Sequence, residues 1–276
     1  MARKINYRLI VSDFDGTLVR KNGEIGERNK KAIAQYVQDG GVFAVSTGRL
    51  HYGILPRVRE LGLKGAVSCG QGSLIVDIES GEPLLNGTLP CDVTVAICEK
   101  MEALGVHFHV YDFFNYYSNK NNQALKNYED IVRMKAKVVD EEPLSAFVKR
   151  EKIAAYKVLA LVDPAEADTI IRELKKENFV GCEVTKSNDF LVEVINASYS
   201  KGTAVEFLTN YFHVPIEKTV AVGDQQNDIP MIEKAGLGIA VKNADETLKK
   251  SALVFGFTNE EDAIAEIIEK YGYMEE

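Results

Sequence analysis

The segment YRLIVSDFDGTL, residues 7–18, carries an apolar run straight into two aspartates, Asp13 and Asp15. RLIV reads as a buried strand, and a charge at the end of a buried strand is costly unless something compensates it. The chain around it alternates apolar runs with helix-like stretches. ERNKKAIAQYVQDG places Ile33, Tyr36 and Val37 at helical spacing and ends on a glycine stop. GVFAVST reads as the next strand and HYGILPRVREL as a helix with Pro56 near its first turns. GAVSCGQGSLIVD holds two short strands about a glycine-rich turn. This alternation predicts an α/β fold on a doubly wound parallel sheet.

The pattern changes after residue 82. DVTVAICEKMEALG is helical, VHFHVYD and NYYSNK alternate as strands, and NQALKNYEDIVRMK is helical again. KIAAYKVLALVD reads as a strand, PAEADTIIRELKKEN as a helix opened by Pro164, and GCEVTKS as a strand. The first pattern is expected to resume at FLVEVIN. It continues through SKGTAVEFLTNYF, with Ser200 as N-cap, and through TVAVGD, DIPMIEKAG, LGIAV and EEDAIAEIIEKYG. The expected organisation is therefore a core formed by residues 1–82 and 190–276, interrupted by an inserted α/β domain, 83–189.

A chain of 276 residues can bury a full core. Its net charge of −8, from 33 basic and 41 acidic residues, comes with no basic cluster, which argues against a nucleic-acid partner. Cys69, Cys91, Cys98 and Cys182 form no CxxC pair, as expected for free thiols in a reducing compartment. The apolar run in MARKINYRLIV is too short for a secretory leader, and no run reaches membrane-spanning length. The expectation is a cytoplasmic protein that does not engage a membrane. No heptad pattern points to an oligomeric partner.

Three strand ends carry the chemistry. RLIV ends at Asp13, VFAV at Ser46 and Thr47, and TVAV at Gly223 and Asp224. In an open α/β sheet, ligands bind outside the carboxyl ends of the strands. Neighbouring parallel strands would bring these tips together, with Lys201 approaching from the start of a helix. Clustered carboxylates call for a cation, and Mg²⁺ suits a few carboxylates that share it with water and substrate phosphate. A carboxylate can also attack phosphorus to give an aspartyl-phosphate. Asp15 is suited to protonate the leaving oxygen and then deprotonate the hydrolytic water. Gly16 permits a sharp turn that offers N–H groups to an anion.

DFDGTL (13–18), STGR (46–49), SKG (200–202) and GDQQND (223–228) together resemble the four ordered motifs of the haloacid dehalogenase superfamily. Each is weak alone; their order and their strand-end placement carry the resemblance. In layout and length the chain is similar to the Cof-type sugar-phosphate phosphatases, which carry a large α/β cap between the second and third motifs. The resemblance spans essentially the whole chain. It implies Asp13 as nucleophile, Asp15 as general acid/base, Thr47 as a phosphate ligand and Lys201 as the neutralising cation. It implies Asp13, Asp224 and the backbone carbonyl of Asp15 as ligands of Mg²⁺. Gly16, Thr47, Gly48, Lys201 and Asn227 would surround the substrate phosphate, with Asp228 in support. Arg49 fits either the phosphate or a neighbouring acid. The substrate implied is a small phosphorylated metabolite such as a sugar phosphate. The alternatives are a phosphomutase of the same superfamily and a non-catalytic phosphate-binding protein on the same fold. Relatives often carry Asn-Gly-Ala after the third strand, where this chain has Gln71-Gly72-Ser73.

Other features have plainer readings. His107 and His109 share a strand face without a third metal ligand nearby in sequence. Tyr111, Phe113, Phe114, Tyr116 and Tyr117 read as packing in the inserted domain or as a stacking surface. Cys69 reads as a buried bystander, and YGYMEE as a solvated terminus.

Overall fold

The computed structural model describes residues 3–132 and 134–274. The chain forms two compact units: 1–84 with 200–276, and 85–199 between them. In chain order, the first unit opens with β1 (Leu9–Ser12), α1 (Glu27–Gln38), β2 (Val42–Val45), α2 (His51–Glu60), β3 (Ala66–Cys69) and β4 (Leu74–Asp77). Strand β5 (Pro83–Asn86) runs through the division. The inserted unit holds α3 (Cys91–Ala103), β6 (His107–Tyr111), β7 (Tyr116–Ser118), α4 (Gln123–Val132), β8 (Lys137–Val138) and α5 (Leu144–Glu151). It ends with β9 (Lys157–Leu161), α6 (Ala167–Lys176), β10 (Cys182–Asn188) and β11 (Leu191–Asn196). The first unit then resumes with α7 (Lys201–Tyr211), β12 (Thr219–Gly223), α8 (Ile229–Lys234), β13 (Leu237–Ala240), α9 (Glu246–Lys249), β14 (Leu253–Val254) and α10 (Ala263–Ile267).

The core sheet has the order β14-β13-β12-β1-β2, and every pairing in it is parallel. Leu9, Ile10 and Val11 are wholly buried, as a central parallel strand covered on both faces requires. On α1, Ile33 and Tyr36 face the core while Val37 lies on the exposed side. The three-stranded sheet β3-β4-β5 opens on an antiparallel hairpin, and β3 meets the end of β2 through a bridge between Ser46 and Ser68. The C-terminal segment differs from its sequence reading. Tyr273 is buried, bridges to Ile5 and sets its ring edge-on to Tyr36 at 5.9 Å. Glu275 and Glu276 of that segment lie outside the described residues.

The inserted unit is built on a six-stranded sheet, β10-β11-β9-β6-β7-β8, antiparallel except between β7 and β8. One face carries Phe108, Val110, Tyr117, Val158, Ala160, Val192 and Val194, which cluster with Ile97, Met101, Val148, Ile170 and Leu174 of its helices. The other face carries His107, His109, Tyr111 and Tyr116. His107 and His109 approach each other at 3.2 Å between their Nε2 atoms, and Tyr111 donates its hydroxyl to Tyr128 at 2.7 Å. Tyr111 and Tyr116 stack at 5.0 Å. The aromatic cluster on this face is thus packing. Phe114, at the β6–β7 turn, is 76% exposed.

The segment FLVEVIN corrects the sequence reading. β11 pairs antiparallel with β9 and β10, so it belongs to the inserted unit, and the chain returns to the first unit at Ser200 rather than at 190. A short buried apolar run has the same residue pattern in a parallel core and in an antiparallel sheet, so composition alone does not assign it. Helix α5 lies in a stretch with no sequence assignment, as do the short elements β5, β8, α9 and β14.

Ser200 caps α7 as expected. Its hydroxyl accepts the N–H groups of Gly202 and Thr203 at 3.2 Å each, and the Thr203 hydroxyl accepts the Ser200 N–H at 2.9 Å. Ser200→Ala should therefore lower unfolding stability by about 1 kcal/mol, read as a shift in denaturation midpoint at unchanged slope.

Candidate active site

The register of the core sheet aligns the strand tips. Ser12 pairs with Val45 on one side and Val222 on the other, so Asp13, Ser46 and Gly223 emerge side by side. The Asp13 N–H donates to the Val222 carbonyl at 2.8 Å, which holds Asp13 beside β12. The Thr47 N–H donates to the Ser68 carbonyl at 3.0 Å, which brings the β2 tip to the hairpin. All of the residues described next belong to the first unit.

Lys201, on the first turn of α7, reaches in from the side. Its Nζ donates to Asp13 Oδ1 and to Asp228 Oδ1, both at 2.5 Å, with almost no exposed surface on any of the three side chains. Asp228 also accepts the backbone N–H groups of Asp224 and Gln225 on its other oxygen, at 2.8 and 2.9 Å. One carboxylate thereby shapes the turn after β12 and orients the lysine. Thr17 donates its hydroxyl to Asp224 Oδ1 at 2.7 Å. Gly16, at φ +84°, has no room for a side chain: a Cβ there would sit 2.3 Å from Asp224 Oδ2.

Asp13, Asp224 and Asp228 offer carboxylate oxygens that lie within 4.8 Å of one another, all buried. Burial pushes Asp13 well above the ordinary carboxylate range against the pull of Lys201, and Asp228 and Asp224 add to the rise. Burial and then Asp228 raise Asp224 to about 6. Burial works against the charge on Lys201 too, but Asp13 and Asp228 outweigh it and hold the ammonium above its ordinary value. Three buried carboxylates thus share one ammonium, and the shortfall of positive charge fits a divalent cation with hard oxygen ligands.

The remaining expected residues fall as follows. The Asp15 side chain stands apart from this group, half exposed, with both oxygens held by Arg49 through Nε at 2.7 Å and Nη2 at 2.8 Å. Of the two readings for Arg49, this structure has the acid. Thr47 is buried, and its hydroxyl accepts the Arg49 N–H at 3.1 Å. Gly48 lies against Gln71, whose Nε2 would be 2.6 Å from a Cβ at that position. Asn227 donates Nδ2 to Gln71 Oε1 at 3.0 Å.

Gln71 is the residue that the motifs did not assign. It is buried at φ +61°, donates its N–H to the Thr47 carbonyl at 3.2 Å, and links Asn227 to the Thr47 loop. The departure at Gln71-Gly72-Ser73 was its one sequence signal. The neighbouring Gly72, at φ +95°, would bring a Cβ within 2.1 Å of the Ser200 carbonyl, so the turn packs directly on the start of α7. Cys69 is buried, and burial raises its thiol well above the ordinary value, which suits a packing role.

The chain is similar to known proteins over nearly its whole length. The family model for haloacid dehalogenase-like hydrolases matches residues 10–268. A Haemophilus influenzae protein is 30% identical over 269 residues, covering 96% of this chain and 98% of its own. Phosphatase YwpJ of Bacillus subtilis is 27% identical over 285 residues, covering 95% and 98%. The crystal structure of a haloacid dehalogenase-like hydrolase from Bacteroides thetaiotaomicron superposes with a TM-score of 0.84 at 27% identity, covering 96% and 99%.

The raised Asp224 makes a pH prediction. Between the ordinary value of 3.8 and about 6, the folded chain holds a proton that the unfolded chain has lost, so stability falls as pH rises through that window. Metal-free protein should lose stability across this window relative to Asp224→Asn, which has no such proton. A divalent cation should raise the thermal midpoint of the wild type more at neutral pH than at acid pH, as scanning calorimetry would read. The chain belongs to the haloacid dehalogenase-like hydrolase family and is an enzyme of its phosphatase type.

Proposed function

We propose that the protein is a Mg²⁺-dependent phosphatase of the Cof type that hydrolyses small phosphate monoesters, sugar phosphates among them, through an aspartyl-phosphate on Asp13. The observation that carries this reading is the buried Lys201 ammonium between Asp13 and Asp228, at the carboxyl ends of parallel strands and beside Asp224.

Asp13 attacks phosphorus with the oxygen that Lys201 does not hold, and the P–O bond to the leaving group breaks. Asp15 gives its proton to the leaving oxygen. It then takes a proton from a water that attacks the aspartyl-phosphate, releasing inorganic phosphate and restoring the Asp13 carboxylate. Lys201, the Thr47 hydroxyl, the backbone N–H groups around Gly16 and Gly48, and Asn227 hold the phosphoryl oxygens and share their charge. Arg49 is suited to transfer from Asp15 to the substrate phosphate, because both present paired oxygens to its planar fork. Asp13, Asp224 and the Asp15 carbonyl would hold Mg²⁺, with Asp228 supporting the shell. The ion when bound neutralises the phosphoryl group and completes the charge balance of the cluster.

The inserted unit is, on this reading, a cap that selects the substrate. A phosphomutase would use the same nucleophile and acid, and differs in returning the phosphoryl group to its product.

Phosphate release from a panel of monoesters tests the proposal. Mg²⁺ should support turnover and EDTA should abolish it. Asp13→Asn should reduce kcat by at least about a thousandfold while keeping the fold, because the amide is a far weaker nucleophile. Turnover that persists in EDTA or in Asp13→Asn would overturn it.

A further inference from the structure

The turn that carries Asp15 and Thr17 is held from outside by two asparagines that the motifs do not include. Asn243 follows β13 and donates Nδ2 to the Gly16 carbonyl at 2.8 Å. Asn259 follows β14 and donates Nδ2 to the Val19 carbonyl at 2.9 Å. The two are joined, because the Asn259 N–H donates to Asn243 Oδ1 at 3.0 Å. Asn243 thus uses its amide as donor and acceptor at once, and its two partners fix which way the amide faces.

These bonds fall where the turn needs them. Gly16 adopts φ +84° without a side chain to restrict it, so hydrogen bonding at its carbonyl sets the plane of the Gly16–Thr17 peptide. Thr17, between the two tethered carbonyls, makes the bond to Asp224. The anchor is itself firm. Asn259 is buried, and its segment begins with a capping box in which Thr258 and Glu261 bond each other. The same segment braces the chain beyond the turn, through Glu260 to the Lys21 N–H at 2.7 Å and Asp262 to Arg20 at 2.8 Å. Ends of two further parallel strands therefore grip the segment that leaves β1.

We propose that Asn243 and Asn259 are positioning residues for the phosphoryl transfer, holding the Asp15–Thr17 turn in place against Asp13 and Asp224. They touch no reacting atom. The inference rests on the phosphatase reading above, and it assigns a task in that reaction to two loop asparagines more than two hundred residues from the turn they hold.

The test is steady-state hydrolysis of p-nitrophenyl phosphate with saturating Mg²⁺ by wild type, Asn243→Ala, Asn243→Asp, Asn259→Ala and the double alanine variant. The expected result is a fall in kcat of at least about tenfold with KM within about twofold, since misplacing a catalytic group costs rate more than binding. Asn243→Asp keeps the acceptor and loses the donor, so it should fall as far as Asn243→Ala. The double variant should be little worse than either single one, because the two side chains act as one connected unit. Asn29→Ala serves as the stability control: Asn29 is wholly buried, accepts the Ala265 N–H at 2.9 Å and stands outside the site. It should lower the thermal midpoint and leave kcat unchanged. Should Asn259→Ala fail to fold, exposed Asn243 carries the test alone. Asparagine variants that lose stability but keep wild-type kcat, as Asn29→Ala does, would overturn the positioning role. So would a fully active Asn243→Asp. A wild type inert on every monoester would instead overturn the phosphatase reading, and this role with it.

Discussion

The ammonium of Lys201, buried between Asp13 and Asp228, is the interaction on which the rest of the site depends. Removing an ammonium and carboxylates from water costs several kcal/mol per ion, and removing a single partner would leave a buried charge uncompensated. The fold meets that cost with geometry. Ser200 caps α7 so that Lys201 begins the helix beside the strand tips. Asp228 is fixed by two backbone N–H groups before it meets the lysine. Asp13 is held by β12 through its own N–H. Each of the three charges is oriented by backbone, so the cluster is preorganised rather than assembled around substrate.

Close packing around the site leaves no room for a side chain at several of its glycines. Gly16 and Gly72 both adopt positive φ, and a Cβ at either would strike Asp224 or the Ser200 carbonyl. Gly223 packs so closely on Asp228 that a Cβ would lie 2.5 Å from its side chain. Backbone thus packs closely against the buried carboxylates at Gly16 and Gly223. What surrounds this centre is then support: the Gln71–Asn227 link on one side, and the asparagine bracket from the ends of β13 and β14 on the other.

Much of the centre was legible in the sequence because its signals are local. A polar residue closely following an apolar run marks a strand tip, and Asp13, Thr47 and Asp224 each carry that signature. Lys201 was legible through its serine cap. Gln71 was not, because its role depends on a left-handed turn that places it between the Thr47 loop and Asn227. Asn243 and Asn259 gave no signal at all, since asparagine is ordinary in loops and their partners lie at the other end of the chain. The same limit explains β11: a short buried run with Val192, Val194 and Ile195 does not state whether its neighbours run parallel or antiparallel. The parallel sense of the core sheet, by contrast, follows from the alternation of strand and helix.

On the proposed mechanism, Asp13 carries the phosphoryl group in a covalent intermediate. Borohydride reduces an acyl phosphate to the alcohol, so enzyme quenched during turnover of a phosphate monoester and then reduced would record where the group was held. Tandem mass spectrometry of the peptide spanning residues 8–20 should find homoserine in place of Asp13, dependent on substrate and Mg²⁺, with Asp15 unchanged. An unmodified Asp13 in enzyme that is demonstrably turning over, or reduction at Asp15 or Asp224 instead, would rule out Asp13 as the nucleophile.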